Sequence, residues 1–346
     1  MNIKEILSSA VENKASDVIL ISNQPVTFRI HGAMFPQGEE KLFPADTETL
    51  VRELFEGSSG VTFEEFLSSG DADFSLSLSG VGRFRVNAYK QRNSCAAVIR
   101  SVYFRIPTPE ELGIPDEVMN IAELSQGFVL VTGAAGCGKS TTLACLVDRI
   151  NATRSAHIIT LEDPVEYIHQ HKRSIVSQRE MHLDSITYTG ALRAALRQSP
   201  DVIMLGEMRD YETISTAMTA AETGHLLLSS LHTNGVAKSI DRIIDVFPAE
   251  QQHQIRMQLS MVLEAVVSQQ LLPAVDGSLV PAFKVMRVNP AIRNMIRSCK
   301  VKQIDSEIHA GRAAGMITMD MSIERLLAEG KITPETAALY TEGFRS

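Results

Sequence analysis

Eight consecutive residues, Gly133-Ala134-Ala135-Gly136-Cys137-Gly138-Lys139-Ser140, fit the pattern GxxxxGK[ST]. Glycines at these positions let a loop wrap closely around phosphate oxygens and turn its backbone N–H groups toward them. Lys139 then reaches the β- and γ-phosphates of a nucleoside triphosphate, and the Ser140 hydroxyl completes a Mg2+ shell. Thr141 follows as a helper near the α-phosphate. The context is the one this chemistry needs. The apolar run 128–131 precedes the loop, and Leu143, Leu146, Val147 and Ile150 recur at i, i+3, i+4 and i+7 after it, which reads as strand, loop and helix. ATP and Mg2+ are the expected ligands.

Such a loop needs an acid on a second strand. The segment 201–207 supplies Val202, Ile203, Met204 and Leu205, then Gly206 and Glu207. Gly206 stands where an aspartate is usual, so Glu207 is expected to serve the metal itself, partly through water. A second acidic strand end lies at Leu161-Glu162-Asp163-Pro164, where the proline forces a sharp exit. Ligands gather at the carboxyl ends of parallel strands. Glu162 and Glu207 are thus both candidates to polarise the attacking water, and the sequence leaves the choice between them open. A third apolar run, 226–231, ends at His232, which is placed to touch the γ-phosphate. His157, His169, His171 and His182 follow no ligand spacing.

The elements that must position these groups fall into two regions. Residues 1–100 read as a mixed α+β module: an amphipathic helix from Ile3 to Val11, strands at 18–21 and 26–30, helices at 47–55 and 61–67, and strands at 74–78, 82–89 and 96–102. Three prolines and a glycine within 105–115 mark a linker rather than an element interior. The expected division is therefore 1–104, a linker at 105–115, and 116–346. From 116 onward, short apolar strands at 128–131, 157–161, 202–205 and 226–231 alternate with helical segments, the pattern of an α/β domain with a largely parallel sheet. Further helices are expected at 291–297 and 321–328.

Composition narrows the function. The 346 residues are 44% hydrophobic and 21% charged, enough for two cores. Lys+Arg 33 against Asp+Glu 41 gives a net charge of −8, which argues against bulk electrostatic binding of nucleic acid or anionic membrane. Cys95, Cys137, Cys145 and Cys299 form no CxxC pair, so free thiols in a reducing cytoplasm are expected. No apolar run of about 20 residues is present, so no direct membrane insertion is expected.

The order GAAGCGKSTT, ITLEDPVEY, PDVIMLGEMRDYETISTAMTAAETGHLLLSSLHTN resembles the secretion-ATPase superfamily that powers type II secretion and type IV pili. Its motifs are a Walker A loop, an acidic box, an atypical Walker B and a His box. KASDVIL and GRFRVNAYKQRN in the first region resemble that superfamily's first domain. The short first domain, the lack of a four-cysteine zinc element and the run Ala291-Ile292-Arg293-Asn294-Met295-Ile296-Arg297-Ser298 are similar to its pilus-retraction, twitching-motility branch. The resemblance implies a PAS-like domain followed by a RecA-like P-loop ATPase domain with extra C-terminal helices. It also implies a ring of six copies on the cytoplasmic side of the inner membrane, acting on a membrane platform protein and not on nucleic acid. By motif position it implies that Arg83, Arg85 and Arg100 approach the phosphates, where guanidinium forks would stabilise transferred charge. Cys137 replaces the small hydroxyl more usual in this loop, and its position beside Lys139 and a helix N-terminus predicts a lowered thiol pKa. An assembly or secretion motor of the same superfamily shares the chemistry but would carry more N-terminal chain and a CxxC metal site. A RecA-like nucleic-acid translocase or a small-molecule kinase completes the set of alternatives.

Overall fold

A computed structural model describes residues 2–30, 32–57, 61–102, 105–208 and 210–341. The chain divides into two compact units, Met1–Arg105 with Glu166–Ile168, and Ile106–Val165 with His169–Ser346. In the first, strands β1 (Asp17–Leu20), β2 (Thr27–Ile30), β3 (Ala33–Pro36), β4 (Asp71–Leu78), β5 (Gly82–Gln91) and β6 (Ser94–Val102) form an antiparallel sheet in the order β3-β2-β1-β6-β5-β4. Period-two alternation along β5 sends Phe84, Val86 and Ala88 into the core and leaves Arg85 outside. The helices Ile3–Glu12, Pro44–Glu56 and Phe63–Ser69 contribute Leu7, Leu54 and Phe66 to that core. The Phe55 ring stacks on Phe66 and meets Phe63 edge-on. The sequence does not announce β3, whose four residues are all exposed on the sheet edge.

The second unit carries β7 (Gly127–Thr132), β8 (His157–Glu162), β9 (Ile175–Glu180), β10 (Val202–Leu205), β11 (Leu226–Leu231), β12 (Leu263–Pro273) and β13 (Leu279–Arg287). Their order is β13-β12-β7-β11-β10-β8-β9, parallel throughout except for the β12–β13 pair. Helices cover both faces, which is why every residue of β7, β10 and β11 is buried and these strands read as unbroken apolar runs. On one face Val129 and Val131 pack with Leu146, Val147 and Ile150 of the helix Lys139–Thr153. On the other, Phe128 and Leu130 join a core that includes Leu192, Ile214, Ile240 and Leu259.

The stretch expected as a linker is partly structured. Pro109–Leu112 forms a short helix capped by Thr108, and Ile114 is buried in the core of the second unit. Proline at the first helical turn loses no hydrogen bond, so the proline count there marks a helix start as well as a chain stiffener. The strands β9, β12 and β13 are additions to the sequence reading. The last two are joined by Val275-Asp276-Gly277-Ser278, where Ser278 donates twice to Asp276 Oδ1 and Gly277 has φ +83. An Asp-Gly pair between two apolar runs is a hairpin signal. Among the described residues, no helix is long and apolar enough to cross a membrane.

Candidate active site

Four neighbouring parallel strands deliver the candidate residues at their carboxyl ends. In spatial order, β7 leads into the phosphate loop, β11 into His232, β10 into Gly206 and Glu207, and β8 ends on Glu162. The loop closes under glycine geometry, with φ +149 at Gly133, +75 at Gly136 and +91 at Gly138. A Cβ at Gly133 would lie 2.4 Å from the Gln269 carbonyl oxygen, so the backbone of β12 itself requires glycine there. Side chains cap the helices that start after Thr187, Asp210 and Thr318. The 15-residue helix that starts at Lys139 has no side-chain cap, which leaves its first N–H groups and positive dipole end for phosphate. Ser140 is exposed on its first turn.

Lys139 is buried, and its Nζ donates to the carbonyls of Gly133 (2.9 Å) and Ala134 (2.8 Å). It also stands 3.4 Å from His232 Nδ1, and His232 Nε2 stands 3.1 Å from Glu207 Oε2. An ammonium only donates and a carboxylate only accepts. The imidazole between them fits both partners when neutral, with Nδ1 accepting from Lys139 and the Nε2 proton given to Glu207. The loop lysine, the histidine and the acid thus form one continuous line across β7, β11 and β10.

Glu162 is held differently. Thr160 Oγ1 (2.6 Å) and Gln178 Nε2 (3.2 Å) both donate to its Oε1. Gln178 is itself fixed by the His169 backbone N–H at 2.8 Å. The Asp163–Pro164 bond that follows is cis. Gly206 donates to Leu161 O and accepts from Ser230 Oγ, and a Cβ on it would press on the Tyr188 hydroxyl at 3.3 Å. That crowding is a reason for glycine where an aspartate is usual.

Cys137 corrects the sequence expectation of a lowered pKa. It is buried against Gly133, and burial pushes its thiol above the usual range despite Lys139 nearby. Desolvation of the thiolate outweighs the ammonium because the side chain points into the loop's packing and away from water.

In the first unit, Arg83 and Arg85 lie on β5, and Arg85 pairs in register with Arg100 on β6. Arg100 Nε is bound to Asp17 Oδ1 at 2.9 Å, so this guanidinium has a partner within its own unit. The helix Pro290–Arg297, which holds the run similar to the retraction branch, lies near the start of β12. Ile292 and Ile296 are core residues. Arg293 caps the end of the helix Ala249–Val262 by donating to Ser260 O and Met261 O, and pairs with Glu264 at 2.7 Å. Ala291, Asn294 and Arg297 are exposed.

A cleft of about 720 Å3 opens beside the loop, lined by Leu112, Ile114, Gly138, Thr141, Gln269 and Pro281 among others. It lies on the β12–β13 side, opposite His232 and Glu207, and its volume is in the range of small-molecule sites. Thr142, Thr160, Gln178 and Gln269 escaped the sequence reading. The hairpin signal at Asp276-Gly277 was the available pointer to β12 and hence to Gln269.

A phosphate loop on a central parallel strand, with acids at the ends of the parallel strands β10 and β8, defines a P-loop ATPase fold. The model of the type II/IV secretion system proteins matches residues 1–330, and the chain belongs to that family. It is 43% identical over 337 residues to the type IV pilus retractation ATPase PilT of Pseudomonas aeruginosa, covering 97% of both chains. It is 43% identical over 340 residues to a twitching motility protein of Neisseria gonorrhoeae, covering 98% of this chain and 90% of the other. Among solved structures, the pilus retraction motor PilT with bound ADP superposes with a TM-score of 0.89 at 44% identity, covering 99% of this chain and 97% of that one.

Proposed function

We propose that this chain is an ATP-hydrolysing motor that drives type IV pilus retraction, working as a ring of six copies. The observation that carries the ATPase chemistry is the continuous line Lys139–His232–Glu207 beside an uncapped helix N-terminus. The pilus assignment rests on likeness over nearly the whole length to retraction motors. The first unit is the PAS-like domain of this family and the second its RecA-like ATPase domain.

ATP lies across the strand ends, its triphosphate on residues 133–141 and its nucleoside in the 720 Å3 cleft. Lys139 leaves the loop carbonyls for the β- and γ-phosphates, and His232 meets the γ-phosphate. Glu207, one strand further on, polarises the attacking water. Glu162, anchored on Oε1, supports that water from β8. The Ser140 hydroxyl and the Glu207 carboxylate are hard oxygen donors that suit Mg2+, which keeps several waters and takes phosphate oxygens as further ligands. An ion held there would supply charge neutralisation to the phosphates during transfer. Arg83, Arg85 and Arg100 add charge stabilisation from the first unit. Hydrolysis shifts the two units relative to each other, and the motion is passed to a platform protein of the inner membrane from its cytoplasmic face.

The test is ATP turnover and ATP affinity in purified chains. Lys139→Ala is expected to abolish turnover, and Glu207→Gln to retain ATP affinity while losing roughly 100-fold or more in rate, the scale of a removed general base. Full turnover in both variants would overturn the site.

A further inference from the structure

We infer that Gln269 is a nucleotide-binding residue, donating its side-chain amide to the α-phosphate of bound ATP or ADP. The inference rests on the ATPase reading above and adds a contact from outside the phosphate loop. Gln269 sits on β12, one residue beyond Ser268, which pairs with Thr132 at the mouth of the loop. Its side chain runs toward the first turns of the helix Lys139–Thr153, where Thr142 Oγ1 donates to Gln269 Oε1 at 2.7 Å. With Oε1 taken, the amide nitrogen points the other way, to within 2.9 Å of where a Cβ on Gly138 would sit.

Two observations make this nitrogen more than part of a strut. Gln269 is only 3% exposed, and among the described residues no acceptor is bonded to its Nε2. Its Nε2 is not among the atoms sealed from solvent without a partner, so an acceptor supplied from outside the chain can reach it. Gln269 also lines the cleft together with Gly138, Thr141 and Thr142, so the donor borders the space a ligand would fill. The layout then selects the acceptor. The γ-phosphate end lies toward His232 and Glu207 on β11 and β10, and the nucleoside lies toward Leu112 and Pro281. Gln269 stands at the border between the loop and the cleft, where the α-phosphate joins the two.

The experiment measures ADP and ATP affinity calorimetrically on the full chain, with thermal unfolding of the nucleotide-free protein alongside. Gln269→Glu keeps the oxygen that accepts from Thr142 and removes the donor. Gln269→Met removes both at similar volume, and Thr142→Val removes only the anchor. Both Gln269 variants are expected to lose about tenfold or more in ADP affinity, about 1.4 kcal/mol, while Thr142→Val stays close to wild type. The unfolding temperature of Gln269→Glu is read beside its affinity, and this variant carries the test should Gln269→Met fail to fold. ADP binding by Gln269→Glu as tight as wild type would overturn the inference, as would a loss in Thr142→Val equal to that in Gln269→Met. Failure of the wild-type chain to bind ADP would overturn the ATPase reading instead.

Discussion

At the residue scale, burial decides what each reactive group does. Cys137 and Lys139 are two residues apart on the same loop, yet the lysine reaches the loop's rim and the thiol packs beneath it. Cys145, inside the helix that follows, bonds to the Pro107 carbonyl, and burial pushes its thiol up to about 12. Cys299 is exposed. Iodoacetamide at pH 8 should therefore label Cys299 first and leave Cys137 and Cys145 largely unmodified in the folded chain, with mass spectrometry locating the label. Rapid labelling of Cys137 would contradict the packing described. Glu162 and Glu207 divide on similar grounds. Thr160 and Gln178 donate to Glu162 Oε1, while Glu207 faces the histidine that meets the loop lysine, which is the ground for proposing Glu207 as the residue that polarises the water.

At the scale of elements, what was legible in the sequence is what forms locally. The phosphate loop, its helix, and the strands ending in Glu162, Glu207 and His232 all announce themselves within short windows, because buried parallel strands are continuous apolar runs. The strands β9, β12 and β13 were not legible as part of the sheet, since their pairing depends on partners far away in sequence. The Thr142–Gln269 hydrogen bond spans 127 residues, and no local pattern reveals it. The consequences of that long-range packing can be tested at Gly133. An alanine there meets a backbone carbonyl at 2.4 Å that cannot rotate away, so Gly133→Ala should cost roughly 1–3 kcal/mol in denaturant unfolding and weaken ATP binding. Unchanged stability would mean that β12 does not press on the loop.

The crossing from β8 to β9 offers a second test. His169 is buried there, its Nδ1 lacks a partner among the described residues, and desolvation lowers its pKa from 6.5 to about 4. The unfolded chain therefore binds the proton more tightly than the folded one. Stability contributed by the neutral ring is complete above about pH 6.5 and is lost as pH falls toward 4, by up to about 3 kcal/mol. His169→Leu should flatten that part of the stability–pH curve. An equally steep slope in the variant would place the titrating group elsewhere.

At the scale of the molecule, the sheet order β13-β12-β7-β11-β10-β8-β9 acts as a ruler for the nucleotide. In the function proposed above, nucleoside, α-phosphate, phosphate loop, γ-phosphate and attacking water would fall along successive strands of that order. The helix Pro290–Arg297 uses Ile292, Ile296 and Arg293 for packing within the chain, and leaves Ala291, Asn294 and Arg297 exposed. Among the described residues, no helix is long and apolar enough to cross a membrane. The most direct test of the account is pilus retraction in a strain deleted for this chain and complemented with wild type or Glu207→Gln, followed by imaging labelled pili. Retraction and twitching should return with wild type, while Glu207→Gln should leave cells hyperpiliated with pili that do not shorten. Normal retraction with Glu207→Gln would contradict the claim that ATP hydrolysis at this site drives the motor.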